Sequence, residues 1–144
     1  MPLCNQVKPV LSVETATQLA ISLVNQPGAL AKVCAALAQA EINIHALTVL
    51  ETWGEHSVVR TVVSDPQRAL RFLGDAGIDA LETEVLMIET DNQPGALGKI
   101  AERLSASGIN IEYAYLSAAA KVERGCIILR PSDIEKAKTL LRDS

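Results

Sequence analysis

The segment Asn25-Gln26-Pro27-Gly28-Ala29-Leu30 recurs as Asn92-Gln93-Pro94-Gly95-Ala96-Leu97, and these residues offer the clearest chemistry in the chain. A helix opening on such a Pro-Gly turn presents unpaired backbone N–H groups and a partial positive charge. A carboxylate placed there is favoured by roughly 0.3–1 kcal/mol. Gly28 and Gly95 leave room for a ligand to approach that backbone, with Ala29, Leu30, Ala96 and Leu97 forming the first turn behind it. Asn25 and Asn92 each carry a donor and an acceptor, which suits a zwitterion; Gln93 adjoins the second of them. Asp91 and Glu112, the latter next to Ile111, are carboxylates able to hold an ammonium group, so the second loop is the better equipped. The same residues would also serve folding alone, since Pro-Gly makes a good turn and Asn a good cap. Asn43 and Asn110 share the ambiguity, because Asn tolerates a left-handed turn between helix and strand.

Other chemistry is sparse. The two histidines, His45 and His56, have no cysteine or carboxylate at metal-ligand spacing. Cys4, Cys34 and Cys126 are an odd, widely spaced set that suggests neither a disulfide framework nor a zinc site. No nucleophile with its base stands out, and there is neither a phosphate-cradling loop nor a dinucleotide fingerprint. The expectation is therefore a protein without catalytic residues, metal or cofactor. Aromatics make up 3% of the residues and the net charge is -4, which argues against stacking platforms and basic grooves for nucleic acid. No apolar run reaches about 18 residues and the start does not read as a signal peptide, so no membrane contact and a cytoplasmic location are expected. Hydrophobic residues at 49% and charged residues at 21% fit a folded domain with a real core.

The elements that must position the turns follow from the repeat. Aligning 25–44 with 92–111 at an offset of 67 residues gives 11 identities in 20 positions, including the triplet Ile-Asn-Ile at Ile42 and Ile109. The chain thus reads as a duplicated unit. Gln18 to Val24 and Glu84 to Thr90 run apolar as strands do and end in the turn. Leu30, Val33, Cys34 and Leu37 then form a helical stripe that Leu97, Ile100, Ala101 and Leu104 repeat, and Gly108 stops the second helix. Strands at Asn43–Leu50 and Ser57–Val63 follow, with Trp53 and Gly54 in the turn between them. Asn110–Leu116 and Gly125–Arg130 are their counterparts.

A further helix starts at Ser64-Asp65-Pro66, and its counterpart opens with Ser132 and Glu135 as a capping box. A strand around Ile78 to Thr83 closes the first unit. The order βαββαβ predicts an α+β fold: two tandem ferredoxin-like units with antiparallel sheets and helices on one face. The second unit lacks a closing strand. Ser12 to Thr15 resembles Ala80 to Thr83, so Val10 to Thr15 is expected to supply it. The implied divisions are 1–16, 17–83 and 84–144.

A strand, then Asn-x-Pro-Gly-x-Leu opening a helix, then Ile-Asn-Ile opening the next strand resembles the ACT domain family, and both copies carry the pattern. The resemblance implies a regulatory role in which a small effector, usually an amino acid, binds where two such domains pack, by edge-to-edge sheet pairing or along their helices. The two domains are expected to form an internal pseudo-dimer that doubles again as a homodimer, and with no catalytic domain attached any regulated enzyme is expected on a separate chain. The chain is similar as well to the small subunit of acetolactate synthase, which begins with an Asn-x-Pro-Gly-x-Leu helix; that likeness is confined to one copy, whereas the tandem reading explains both. The copies differ after Ile-Asn-Ile, where His45, Ala46 and Thr48 correspond to Glu112, Tyr113 and Tyr115, so their sites are expected to be inequivalent.

Overall fold

Two strands longer than any the sequence reading proposed organise the molecule. The computed structural model describes residues 10–51 and 54–143; Cys4, Trp53 and the first nine residues lie outside them. The elements are β1 (Val10–Val24), α1 (Ala29–Gln39), β2 (Ile44–Glu51), β3 (His56–Val63), α2 (Pro66–Asp75), β4 (Ala80–Asp91), α3 (Ala96–Ala106), β5 (Ile111–Ser117), β6 (Arg124–Pro131) and α4 (Ile134–Arg142). The segments read separately as Val10–Thr15 and Gln18–Val24 are the single strand β1, and Ile78–Thr83, which begins as a strand only at Ala80, runs on with Glu84–Thr90 as β4. The physical reason lies in the residues between them. No glycine, proline or asparagine interrupts either run, so nothing turns the chain.

Residues 17–83 form one compact unit, and residues 10–16 with 84–143 form the other. In the first, the strands lie in the order β2-β3-β1-β4. β1 pairs antiparallel with β3 from Gln18↔Val62 to Val24↔His56, and β2 with β3 from Ile44↔Val63 to Glu51↔Ser57. Leu19 and Ile21 of the sheet meet Val33 and Leu37 of α1 and Leu73 of α2 in a core that water does not reach. The second unit has the order β1-β4-β6-β5. β4 pairs with β6 from Leu86↔Leu129 to Asp91↔Arg124, and β5 with β6 from Ile111↔Pro131 to Ser117↔Cys126. Each outer strand carries a register shift at its start, between Ile44 and Ala46 and between Ile111 and Tyr113.

The second core joins Leu86, Ile88, Ile127 and Leu129 to Ile100, Leu104 and Leu141, and it includes Val10 and Val13. The early part of β1 thus completes this unit, and Ser12 Oγ donates a hydrogen bond to Glu89 Oε2 at 3.4 Å.

Helix ends repeat between copies with one substitution. The N–H groups of Ile42 and Ile109 reach back to the carbonyls of Leu37 and Leu104 at 2.9 Å, closing each helix with a left-handed residue. That residue is Gly108 (φ 73°) in the second copy and Glu41 (φ 58°) in the first.

The second helix of each unit is capped by aspartate. Asp65 Oδ1 accepts from Arg68 N–H and Asp133 Oδ1 from Lys136 N–H, both at 3.1 Å. The Ser132 capping box is therefore corrected. Ser132 Oγ accepts instead from Asn110 N–H at 3.0 Å, as Ser64 Oγ does from Asn43 N–H, and the serine N–H groups donate back to the asparagine carbonyls. These serines tie strand starts to helix starts, so the neighbouring aspartate is the side chain left to cap.

Candidate functional site

The turn after β4 is held from two sides. Asn92 N–H donates to Glu123 O at 2.8 Å, and Asn92 Nδ2 donates to Val122 O at 2.9 Å and Ala119 O at 3.3 Å. The amide group fixes the β5–β6 hairpin to the turn, which leaves the Asn92 Oδ1 acceptor for a ligand. Gly95 then takes φ 86°, a left-handed conformation that a side chain would strain. Ala96 N–H donates to Gln93 O at 3.2 Å and Lys99 N–H to Gly95 O at 3.0 Å. No side chain caps α3. The Leu97 and Gly98 N–H groups have no acceptor among the described residues, so two amides at the positive end of the helix dipole remain open.

A cavity of about 230 Å³ lies beside this turn and the first turn of α3. It is lined by Asp91, Asn92, Gln93, Gly95, Ala96, Leu97 and Gly98 from the turn and helix, by Thr90, Leu116, Gly125 and Ile127 from the strands, and by Ala118 just past β5. Its far wall is apolar. Leu116 is 54% exposed although large and hydrophobic, so an apolar surface stands open beside unpaired donors, the combination that small-molecule sites show. A wider groove on the same turn is lined by Asp91, Asn92, Lys99, Lys121 and Glu123, with two charges of each sign among them.

The structure thus brings Asp91, Asn92, Gln93, Gly95, Ala96 and Leu97 together. It does not bring Asn110, Ile111 and Glu112 to them. Those residues start β5, where Ile111 lies opposite Pro131, while the cavity meets the other end of the strand. At about 3.3 Å per residue, Glu112 sits about 13 Å along the strand from Leu116. Asn43 and Asn110 use their backbone groups on Ser64 and Ser132, donating to the serine Oγ and accepting from the serine N–H, at the ends of β2 and β5 remote from the glycine turns.

In the first copy, Asn25 N–H donates to Glu55 O at 2.6 Å, and Gly28 (φ 89°) opens α1 without a side-chain cap. Ala29 and Leu30 occupy its first turn. His45 and His56 are exposed, and no cluster of three metal-ligating side chains occurs among the described residues. Thr90, Leu116, Ala118, Gly125 and Ile127 were not legible as site residues, because what gathers them is strand pairing and not their spacing along the chain, and Gly98 joins them from the first turn of α3.

A second hollow, of about 420 Å³, lies on the β4 face that carries Met87 and Glu89, opposite the core-facing Leu86 and Ile88. There Arg124 Nη1 meets Glu89 Oε1 at 2.9 Å, an exposed pair of little energetic weight. Burial, and then the charge of Glu89, pushes the Cys126 thiol above its ordinary range.

No helix among the described residues is long and apolar enough to cross a membrane. Among curated proteins no match to the sequence is found. Among solved structures, a protein from Bacteroides thetaiotaomicron is similar at 36% identity and a TM-score of 0.83, covering 91% of this chain and 89% of its own. The ligand-free regulatory subunit of aspartate kinase from Thermus thermophilus shares the fold at 21% identity and a TM-score of 0.67, covering 94% and 98%. That from Thermus flavus does so at 21% and 0.62, with the same coverage. The model of the ACT domain pair matches residues 14–143. With two glycine turns, two βαββαβ-type units and that match over nearly its whole length, the chain belongs to the ACT domain pair family.

Proposed function

We propose that this protein is a non-catalytic regulatory module of the cytoplasm that binds a small amino acid at the start of α3. The observation that carries the reading is the pair of unclaimed amides at Leu97 and Gly98, both residues that line a cavity of about 230 Å³. A ligand carboxylate accepts from those amides. Its ammonium lies toward the Asp91 carboxylate and Asn92 Oδ1, and its side chain rests on Leu97, Leu116 and Ile127.

At about 30 Å³ per water, the cavity holds about eight waters, and a small amino acid has a comparable number of non-hydrogen atoms. Leu116 lies on the outer strand β5, so a second copy of the chain is suited to close the open side, and the functional form is a homodimer. The fold likeness to an aspartate kinase regulatory subunit over 98% of that subunit supports action on a separate catalytic chain. The duplication disfavours a likeness to the acetolactate synthase subunit, which accounts for one copy.

Calorimetric titration of the full chain with each of the twenty amino acids tests the reading. A dissociation constant of 1 mM corresponds to about 4 kcal/mol, so titrations must reach about 10 mM. Saturable heat for at least one amino acid is expected, and silence across the panel refutes the proposal.

A further inference from the structure

One buried hydroxyl in the cavity is not used in the hydrogen bonding of the described residues. Thr90 is 3% exposed and lies on the β4 side shared by Leu86 and Ile88, facing the cavity that it lines. Its hydroxyl has no hydrogen-bond partner among the described residues. No side-chain polar atom there is both sealed from solvent and unpaired. The Thr90 Oγ1 is therefore reached from the cavity. A hydroxyl that opens on a cavity with no partner in the fold is left for a ligand atom placed against it.

Gly125 keeps that hydroxyl uncovered. It stands directly opposite Thr90 in the β4–β6 pairing. A Cβ built on Gly125 would lie 3.5 Å from Thr90 Oγ1 and 3.5 Å from Ala118 Cβ, ordinary contact that the fold accommodates. In the first copy the corresponding strand pair is Leu23 opposite Ser57, so the arrangement is particular to the second. Away from Asp91, Asn92 and Gln93 at the turn, the other side chains lining the cavity are Leu97, Leu116, Ala118 and Ile127, none of which can hydrogen-bond.

Resting on the reading above, we propose that the Thr90 hydroxyl is the specificity-determining contact of this site and selects an amino acid whose short side chain carries one hydrogen-bonding group. A site that holds a hydrogen-bonding group for its ligand discriminates strongly against an analogue lacking the matching atom.

The test uses two probe pairs that differ at that atom, L-threonine against L-valine and L-serine against L-alanine, titrated calorimetrically into the full chain. The hydroxylated member is expected to bind at least about ten-fold more tightly. Thr90→Val and Gly125→Ala should each bring the ratio to within about two-fold, the first by removing the hydroxyl and the second by covering it. Thr90→Ser should restore the preference, and circular dichroism checks that each variant is folded. If no amino acid binds the wild-type chain, the ligand reading fails and this inference with it. If amino acids bind but the pairs are indistinguishable, or Thr90→Val keeps the preference, the inference alone is overturned.

Discussion

Val13→Ala probes whether the start of β1 belongs to the core of the second unit. Val13 is 5% exposed and packs with Val10, Leu86 and Ile88. Truncation removes two buried carbons at about 0.8 kcal/mol each, or about 1.6 kcal/mol, and the space left behind adds to that. We expect a loss of about 2 kcal/mol, which at ~4 °C per kcal/mol lowers the melting temperature by about 8 °C. Leu81→Ala is the control. Leu81 is larger but 75% exposed, so three carbons only a quarter hidden give about 0.6 kcal/mol. Thermal denaturation followed by circular dichroism measures both. Hydrogen exchange read by mass spectrometry then locates the effect: Val13→Ala should raise exchange in the strands around Leu86, Ile88 and Ile127 more than around Leu19 and Val59. Equal losses for the two variants, or loosening confined to residues 10–16, would refute the assignment of this strand to the second unit.

Other outcomes follow from single sites. Glu41→Gly should stabilise the protein by about 0.5–1 kcal/mol in urea denaturation, because a left-handed residue with a side chain costs roughly 1–2 kcal/mol while glycine gives back about 0.4–1 through the unfolded chain; Gly108→Ala should do the reverse. Gly98→Ala places a methyl where nothing lies within 4 Å and its φ is not positive, so helix propensity should raise stability by up to about 1 kcal/mol while amino-acid affinity falls, a divergence visible by melting and calorimetry together. Asp133→Ala should cost about 1 kcal/mol as the loss of a helix cap. Cys126 has its folded-state pKa raised by burial and then by Glu89, so its contribution to stability is complete below the ordinary thiol range and falls away as pH rises through the folded value. Alkaline melting curves of Cys126→Ser should show less of that loss, and Glu89→Gln should quicken iodoacetamide labelling of Cys126 at pH 8.

Much of the architecture could be read from residue order. The paired Asn-Gln-Pro-Gly turns located both glycine-led helices, and of the stripes ending in Leu37 and Leu104 the residues Val33, Leu37, Ile100 and Leu104 are buried while Cys34, Leu97 and Ala101 are half-buried. Leu30, read into the first stripe, is 39% exposed, since a first-turn residue reaches the rim of the core and not its centre. The continuity of β4 was the harder feature. Ala80 to Asp91 contains no turn residue, but matching it to two elements of a βαββαβ unit split it at Thr83. The start of α4 misled for a local reason, since Ser132 and Asp133 are both good caps and the tie to Asn110 decides between them. At the site, the turn residues were legible because chemistry and spacing coincide. Thr90 and Gly125 were not, being 35 positions apart and joined only by cross-strand register. Glu112 failed to reach the turn because a strand begun at Ile111 carries its first residues away from it.

The lending of residues 10–16 to the second unit also bears on how such a protein can be rearranged. The first repeat draws every strand of its sheet from one uninterrupted stretch, 17–83, whereas the second takes one from beyond its sibling. A gene fragment cut at Glu84 would encode a half missing part of its core, while one spanning 17–83 would not. Shuffling or pruning of this coding sequence can therefore spare the earlier half by itself, but must carry the later half together with the stretch that precedes both.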